Sequence, residues 1–136
     1  MKTQYYLAYG SNLNKSQMAC RCPTAFAVGS GVLDGWQLVF NRVATIIPCA
    51  GASVPVGVWK IDEACEEALD RYEGFPHFYR KEYVDLRFNG EIVTAMVYIM
   101  NGGERCAPSD YYLNTIREGY GDFCFDEGYL LDALSQ

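Results

Sequence analysis

Two short stretches of this chain carry groups suited to chemistry. The first is Tyr9-Gly10-Ser11-Asn12-Leu13, which follows an apolar run and precedes a helix-like pattern. Glycine takes positive φ at no steric cost. The amides of Gly10, Ser11 and Asn12 could then converge into a nest for a carboxylate or a developing oxyanion. A plain tight turn with a Ser or Asn cap has the same pattern, so the loop alone does not decide between them. It is not a phosphate loop, because it lacks both a Gly-Lys-Ser/Thr ending and a Gly-x-Gly-x-x-Gly run.

The second is Glu73, at the expected C-terminal end of a helix that Gly74 stops. A carboxylate there faces the negative end of the helix dipole, at a cost of about 0.3–1 kcal/mol. Its neighbours Tyr72, Phe75, Phe78 and Tyr79 are aromatic. Dipole and apolar surroundings both raise a carboxyl pKa, which is what a general base near neutral pH needs. The alternative is a solvated glutamate at a frayed helix end. His77 is the only histidine, so any Ser-His-Asp or Cys-His arrangement would have to use it. Its Pro76-His77 context reads as an exposed loop, and no Gly-x-Ser-x-Gly elbow accompanies it. Cys20-x-Cys22 is too tight for the common zinc spacing, so no metal site is expected.

These groups need elements to position them. Tyr5 to Tyr9 reads as a central strand, and Asn14-Lys15-Ser16-Gln17 as a capping box opening a short helix. From Ala25 to Lys60 the pattern is β: Ala27–Leu33, a hairpin turn at Asp34-Gly35, Trp36–Arg42, Thr45–Ile47 and Val54–Lys60. Asp62 can cap the next helix, whose buried stripe is Cys65, Ala68, Leu69 and Tyr72. Glu66, Glu67 and Asp70 fall on its polar face, where solvation is expected. Trp36 and Trp59 read as core. Tyr79–Phe88 and Glu91–Met100 are strands joined by Asn89-Gly90, a type I′ hairpin signal. Pro108-Ser109 begins a helix to about Tyr120, and Asp126–Leu134 is a terminal helix. Strands and helices do not alternate as βαβ units, which argues against a doubly wound sheet. The expectation is an α+β fold: a small mixed, mostly antiparallel β-barrel with flanking helices.

The length of 136 residues fits one domain spanning 1–136, large enough to bury a core. The 11 tyrosines are the unusual feature, suited to a wall that is apolar in body and polar at the tip. Net charge is −6 with no basic run, which argues against nucleic acid and against an anionic membrane surface. No apolar stretch reaches the ~20 residues of a membrane span. The chain enters a strand-like run by Tyr5, so no signal peptide is read. The six cysteines are then expected to be free thiols in a reducing cytoplasm.

Together the motifs resemble the gamma-glutamylcyclotransferase-like (AIG2-like) family. Tyr9-Gly10-Ser11-Asn12-Leu13 resembles its signature loop. Ala44-Thr45-Ile46, Val54-Pro55-Val56-Gly57-Val58-Trp59, Leu69-Asp70-Arg71-Tyr72-Glu73-Gly74 and Pro108-Ser109-Asp110-Tyr111-Tyr112 follow in order, over roughly Tyr5 to Tyr120. Asp110 stands where many relatives carry proline. The loop looks less like that of the glutathione-specific branch.

The resemblance implies a small mixed β-barrel with flanking helices and no cofactor. It implies that Glu73 is the acid/base residue, that Tyr9, Gly10, Ser11, Asn12 and Leu13 bind substrate, and that Tyr79 and Tyr112 are cavity tyrosines. The implied reaction cleaves a γ-glutamyl amide by its own α-amine, giving 5-oxoproline and a free amine or amino acid. The implied partner is a small γ-glutamyl substrate. Two alternatives stay open: a γ-glutamyl-amine or carrier-bound metabolite as substrate, and a non-catalytic binding module on the same scaffold.

Overall fold

The computed structural model describes residues 2–136. Its five-stranded sheet has the order β2-β3-β1-β5-β4. Strand β1 (Thr3–Ala8) is central, and Tyr6, Leu7 and Ala8 are buried, as its apolar composition requires. It pairs antiparallel with β3 (Val43–Asp62) from Thr3↔Asp62 to Ala8↔Gly57. On its other side it pairs parallel with β5 (Glu91–Met100) through Tyr5↔Ala95 and Tyr6↔Met96. Strand β4 (Tyr79–Phe88) runs antiparallel to β5. Asn89 and Gly90 both sit at positive φ in the turn between them, as a type I′ hairpin demands.

The sheet is mixed, mostly antiparallel and barrel-like without closing. Edge strands β2 (Phe26–Asn41) and β4 approach through side chains and not through a hydrogen-bond ladder. A Cβ on Gly31 would lie 3.3 Å from Leu86 Cδ2, and one on Gly29 only 2.8 Å from Phe88 Cε1. Small residues on β2 thus let the side chains of β4 fill the barrel.

One expected turn is absent. Asp34-Gly35 does not reverse the chain; it is an irregularity inside β2, where Asp34 pairs with Ser53 but Trp36 pairs with Pro48. The excess lies on β3, where Cys49, Ala50, Gly51 and Ala52 stand opposite the single residue Gly35, itself at φ 85°. The reversal comes at Arg42, φ 71°, so that the separate strands expected between Ala27 and Lys60 merge into two long ones.

The helices begin and end where local chemistry places them. Asn14 Oδ1 accepts from Gln17 N and opens α1 (Lys15–Arg21). Asp62 Oδ1 accepts from Cys65 N and opens α2 (Glu63–Glu73), which ends at Gly74 in the left-handed conformation. Ser109 Oγ accepts from Tyr112 N, so α3 (Asp110–Phe123) starts with Asp110 in its first turn, where a carboxylate complements the dipole. Helix α3 continues three residues beyond Tyr120, and α4 spans Gly128–Leu134.

Two expectations for α2 change. Glu66 and Asp70 are not simply solvated: Lys81 Nζ on β4 sits 2.6 Å from the Glu66 carboxylate and 3.0 Å from that of Asp70. The Tyr98 hydroxyl donates to Asp70 at 2.6 Å, and these contacts pin α2 to the sheet along its length. Tyr72, expected in the buried stripe with Cys65 and Leu69, is 46% exposed because it stands at the mouth of a cavity.

Candidate functional site

That cavity, of about 220 Å³, opens between the end of α2, the loop after β1, and the start of α3. Its wall contains Glu73 together with Tyr9, Gly10, Ser11, Asn12, Tyr79 and Tyr112. Leu13 does not reach it: its side chain is wholly buried beneath the loop, against Gly57 and Gly119. Leu13 therefore anchors the loop from below. His77 lies outside the wall, on an exposed turn.

The loop itself differs from expectation. Gly10 has φ −121°, ψ −131°, so it is not in the left-handed conformation. Space is tight there: a Cβ would meet Ala44 Cβ at 3.2 Å and the Tyr112 hydroxyl at 3.4 Å. Ser11–Leu13 then make one 3-10 turn, with Leu13 N bonded to Gly10 O at 3.0 Å. The Ser11 and Asn12 N–H groups, in the first turn of this element, are left without an intrahelical acceptor.

Glu73 enters the cavity from the C-terminus of α2. Burial among aromatic side chains pushes its carboxyl up to about 7, against the opposing pull of the Arg21 guanidinium. It is thus poised between its two protonation states near neutral pH, the property a proton-shuttling carboxyl requires.

Much of the remaining wall is tyrosine, beside Val43, Ala44 and Phe78, and its hydroxyls are committed in different senses. Tyr9 donates to the Tyr98 carbonyl at 2.7 Å, Tyr79 to the Ala44 carbonyl at 2.6 Å, and Tyr98 to Asp70. Tyr112 instead accepts from the Ala44 N–H at 3.0 Å, and Tyr6 accepts from Asn12 Nδ2 at 2.9 Å. Burial keeps all five phenols well above their ordinary pKa, so they stay protonated. The cavity is therefore a neutral, hydrogen-bonding chamber with one carboxyl group.

Sequence reasoning missed several of these residues. Tyr6 and Tyr98 line the cavity from β1 and β5, and Tyr72 lines it from α2. Arg21, on α1, stacks its guanidinium carbon 3.6 Å above the Tyr72 ring centroid and bonds Asn12 Oδ1 at 2.5 Å. The abundance of tyrosine was the available signal for the first three; nothing local in the sequence marks Arg21.

A family model described as "Gamma-glutamyl cyclotransferase, AIG2-like" matches residues 6–119, most of the chain. The chain belongs to this family. Among characterised relatives, a gamma-glutamylcyclotransferase of Bos taurus is 28% identical over 128 residues, covering 84% of this chain and 68% of that protein. A solved structure described as a gamma-glutamyl cyclotransferase superimposes with a TM-score of 0.87 at 25% identity, over 97% of this chain and 86% of the other. An uncharacterized protein of Homo sapiens gives 0.88 at 26% identity, over 98% and 87%. The family fold is thus the barrel-like sheet with flanking helices described above.

Proposed function

We propose that this chain is a cyclotransferase that cleaves a γ-glutamyl amide, releasing 5-oxoproline and a free amine or amino acid. The observation that carries the reading is Glu73: a carboxyl raised to about 7 inside a tyrosine-walled cavity that also presents the Gly10–Asn12 loop.

The chemistry suits so sparse a site. The α-amine of a γ-glutamyl group is tethered to the carbonyl it attacks, and well-oriented intramolecular attack reaches effective molarities of about 10⁵–10⁸ M. The enzyme then needs no nucleophile or cofactor of its own. Glu73 takes a proton from the α-ammonium. The amine nitrogen bonds to the γ-carbon and forms a five-membered ring with a tetrahedral oxyanion. The C–N bond to the leaving group breaks as Glu73 returns that proton to the departing nitrogen, and the second proton shed by the ring nitrogen passes to the released amine, which departs as an ammonium while the ring keeps one N–H. The amides of Ser11 and Asn12 hold negative charge, either the substrate carboxylate or the oxyanion. Tyr79 presents hydroxyl lone pairs and Tyr112 a hydroxyl proton to the glutamyl head group, since Ala44 engages them in opposite senses.

The test is a panel of γ-glutamyl amino acids and γ-glutamyl amines, with 5-oxoproline monitored, using wild type and Glu73→Gln. Wild type is expected to turn over at least one class, and the variant to lose at least about 10²-fold in rate while folding normally. Silence across the panel from well-folded protein would favour a binding module, and near-normal turnover by Glu73→Gln would remove the carboxyl from its role.

A further inference from the structure

Arg21 determines which way a buried hydrogen bond runs. A guanidinium carries only donors, so the Asn12 atom that meets Arg21 at 2.5 Å must be the amide oxygen. The Asn12 NH₂ group is thereby turned toward Tyr6, 2.9 Å away, and the Tyr6 hydroxyl is obliged to accept. Gln17 Oε1, 2.8 Å from the other guanidinium nitrogen, and the Tyr72 ring beneath it hold Arg21 in this pose. Asn12 and Tyr6 are both largely buried, at 4% exposure each, and both line the cavity.

The cavity hydroxyls divide by where their protons go. Tyr9, Tyr79 and Tyr98 have their protons on protein acceptors. Tyr6 and Tyr112 have no protein acceptor for theirs among the described residues, while Ser11 and Tyr72 share one hydrogen bond of 3.2 Å in which either hydroxyl can donate. Tyr112 sits at the loop, 3.4 Å from where a Cβ of Gly10 would be. Tyr6 rises from the central strand, packs edge-on against Tyr98 at a ring separation of 5.8 Å, and shares the wall with Glu73.

We propose that Tyr6 is a hydrogen-bond donor to the substrate carbonyl oxygen, strengthening as that oxygen becomes an oxyanion, and that Arg21 and Asn12 are positioning residues that make it a donor. The proposal rests on the cyclotransferase reading and adds a side-chain donor to the groups named there. In the reaction the Tyr6 O–H stays intact. It stabilises the negative charge formed when the amine nitrogen adds to the carbonyl, and relaxes when the oxygen regains its double bond.

The experiment compares wild type, Tyr6→Phe, Asn12→Asp and the double variant. Each is assayed on the γ-glutamyl amide that wild type cyclises fastest, at pH 9, where Glu73 is ionised. Tyr6→Phe is expected to lower kcat about 10²-fold, the scale of one lost oxyanion donor, with KM changed by less than about threefold. Asn12→Asp keeps a partner for Arg21 but offers Tyr6 only an acceptor, so it captures the Tyr6 proton. Its kcat is expected to fall comparably, and the double variant to fall no further than Tyr6→Phe alone. Wild-type kcat in Tyr6→Phe, or losses that multiply in the double variant, would overturn the proposal. Calorimetric titration with 5-oxoproline, whose ring carbonyl is the former γ-carbonyl, reads the same donor without turnover. Binding to Tyr6→Phe is expected to weaken roughly 3–10-fold, one hydrogen bond's worth; equal affinity, or no binding to wild type, counts against the proposal. Absence of turnover by wild type with 5-oxoproline binding intact would instead implicate the cyclotransferase reading.

Discussion

Tyr79 and Tyr112 hold the same residue, Ala44, by its two polar groups: Tyr79 donates to the carbonyl at 2.6 Å, and Tyr112 accepts from the N–H at 3.0 Å. One tyrosine opens β4 and the other lies in the first turns of α3, so the pair ties both elements to the start of β3 beside the cavity. Removing the buried Tyr79 hydroxyl leaves the Ala44 carbonyl without its donor. Tyr79→Phe is expected to cost about 1–3 kcal/mol of stability. Urea unfolding measures this, and an unchanged midpoint would show that the bond contributes nothing net.

Glu73 gives the protein a pH-dependent stability of definite sign. Its folded-state carboxyl, near 7, lies above the ordinary value of 4.5. The folded protein therefore binds the proton more tightly than the unfolded chain. The Glu73 contribution is fully present below about 4.5 and is lost as pH rises through about 7. Glu73→Gln removes the dependence. Its stability relative to wild type should rise by on the order of 2–3 kcal/mol between pH 4 and pH 8. Denaturant curves at the two pH values check this; a constant difference would mean that the carboxyl is not desolvated.

The same carboxyl should set the acidic limb of the rate profile. For a base at Glu73, kcat/KM should rise with pH through about 7, not through the 4–5 range of an ordinary glutamate. Arg21 pulls that value down, so Arg21→Met should move the limb to higher pH. A limb that stays in place in Arg21→Met would separate the two residues electrostatically.

Gly119 on α3 lies against the backbone of the loop. A Cβ there would fall 2.7 Å from the Leu13 carbonyl carbon and 2.8 Å from Asn14 N. Backbone cannot yield as a side-chain tip can. Gly119→Ala is expected to cost about 1–3 kcal/mol through overpacking, and to raise KM as the loop is pushed from its place. A variant as stable and as active as wild type would show that the helix can move away freely.

Much of the frame was legible in the chain. Asn14, Asp62 and Ser109 cap helices, Gly74 ends one, and Asn89-Gly90 turns a hairpin, because each of these acts on backbone groups two to four residues away. Asp34-Gly35 misled for a tertiary reason. The dipeptide suits a turn, but pairing with β3 continues on both sides of it, and the irregularity is taken up by the extra residues 49–52 of β3.

Sequence by itself determined the family motifs, the capping chemistry, and the presence of a carboxyl at a helix end among aromatic residues. Tertiary structure decided what those residues face. It buried Leu13 beneath the loop, and set Gly10 at negative φ close against Ala44 and Tyr112. It also brought Arg21 over Tyr72, and Tyr98 onto Asp70. The physical reason is range. A cap or turn is satisfied within a few residues, whereas the direction of the Tyr6, Tyr79 and Tyr112 hydroxyls depends on partners that only the folded chain supplies.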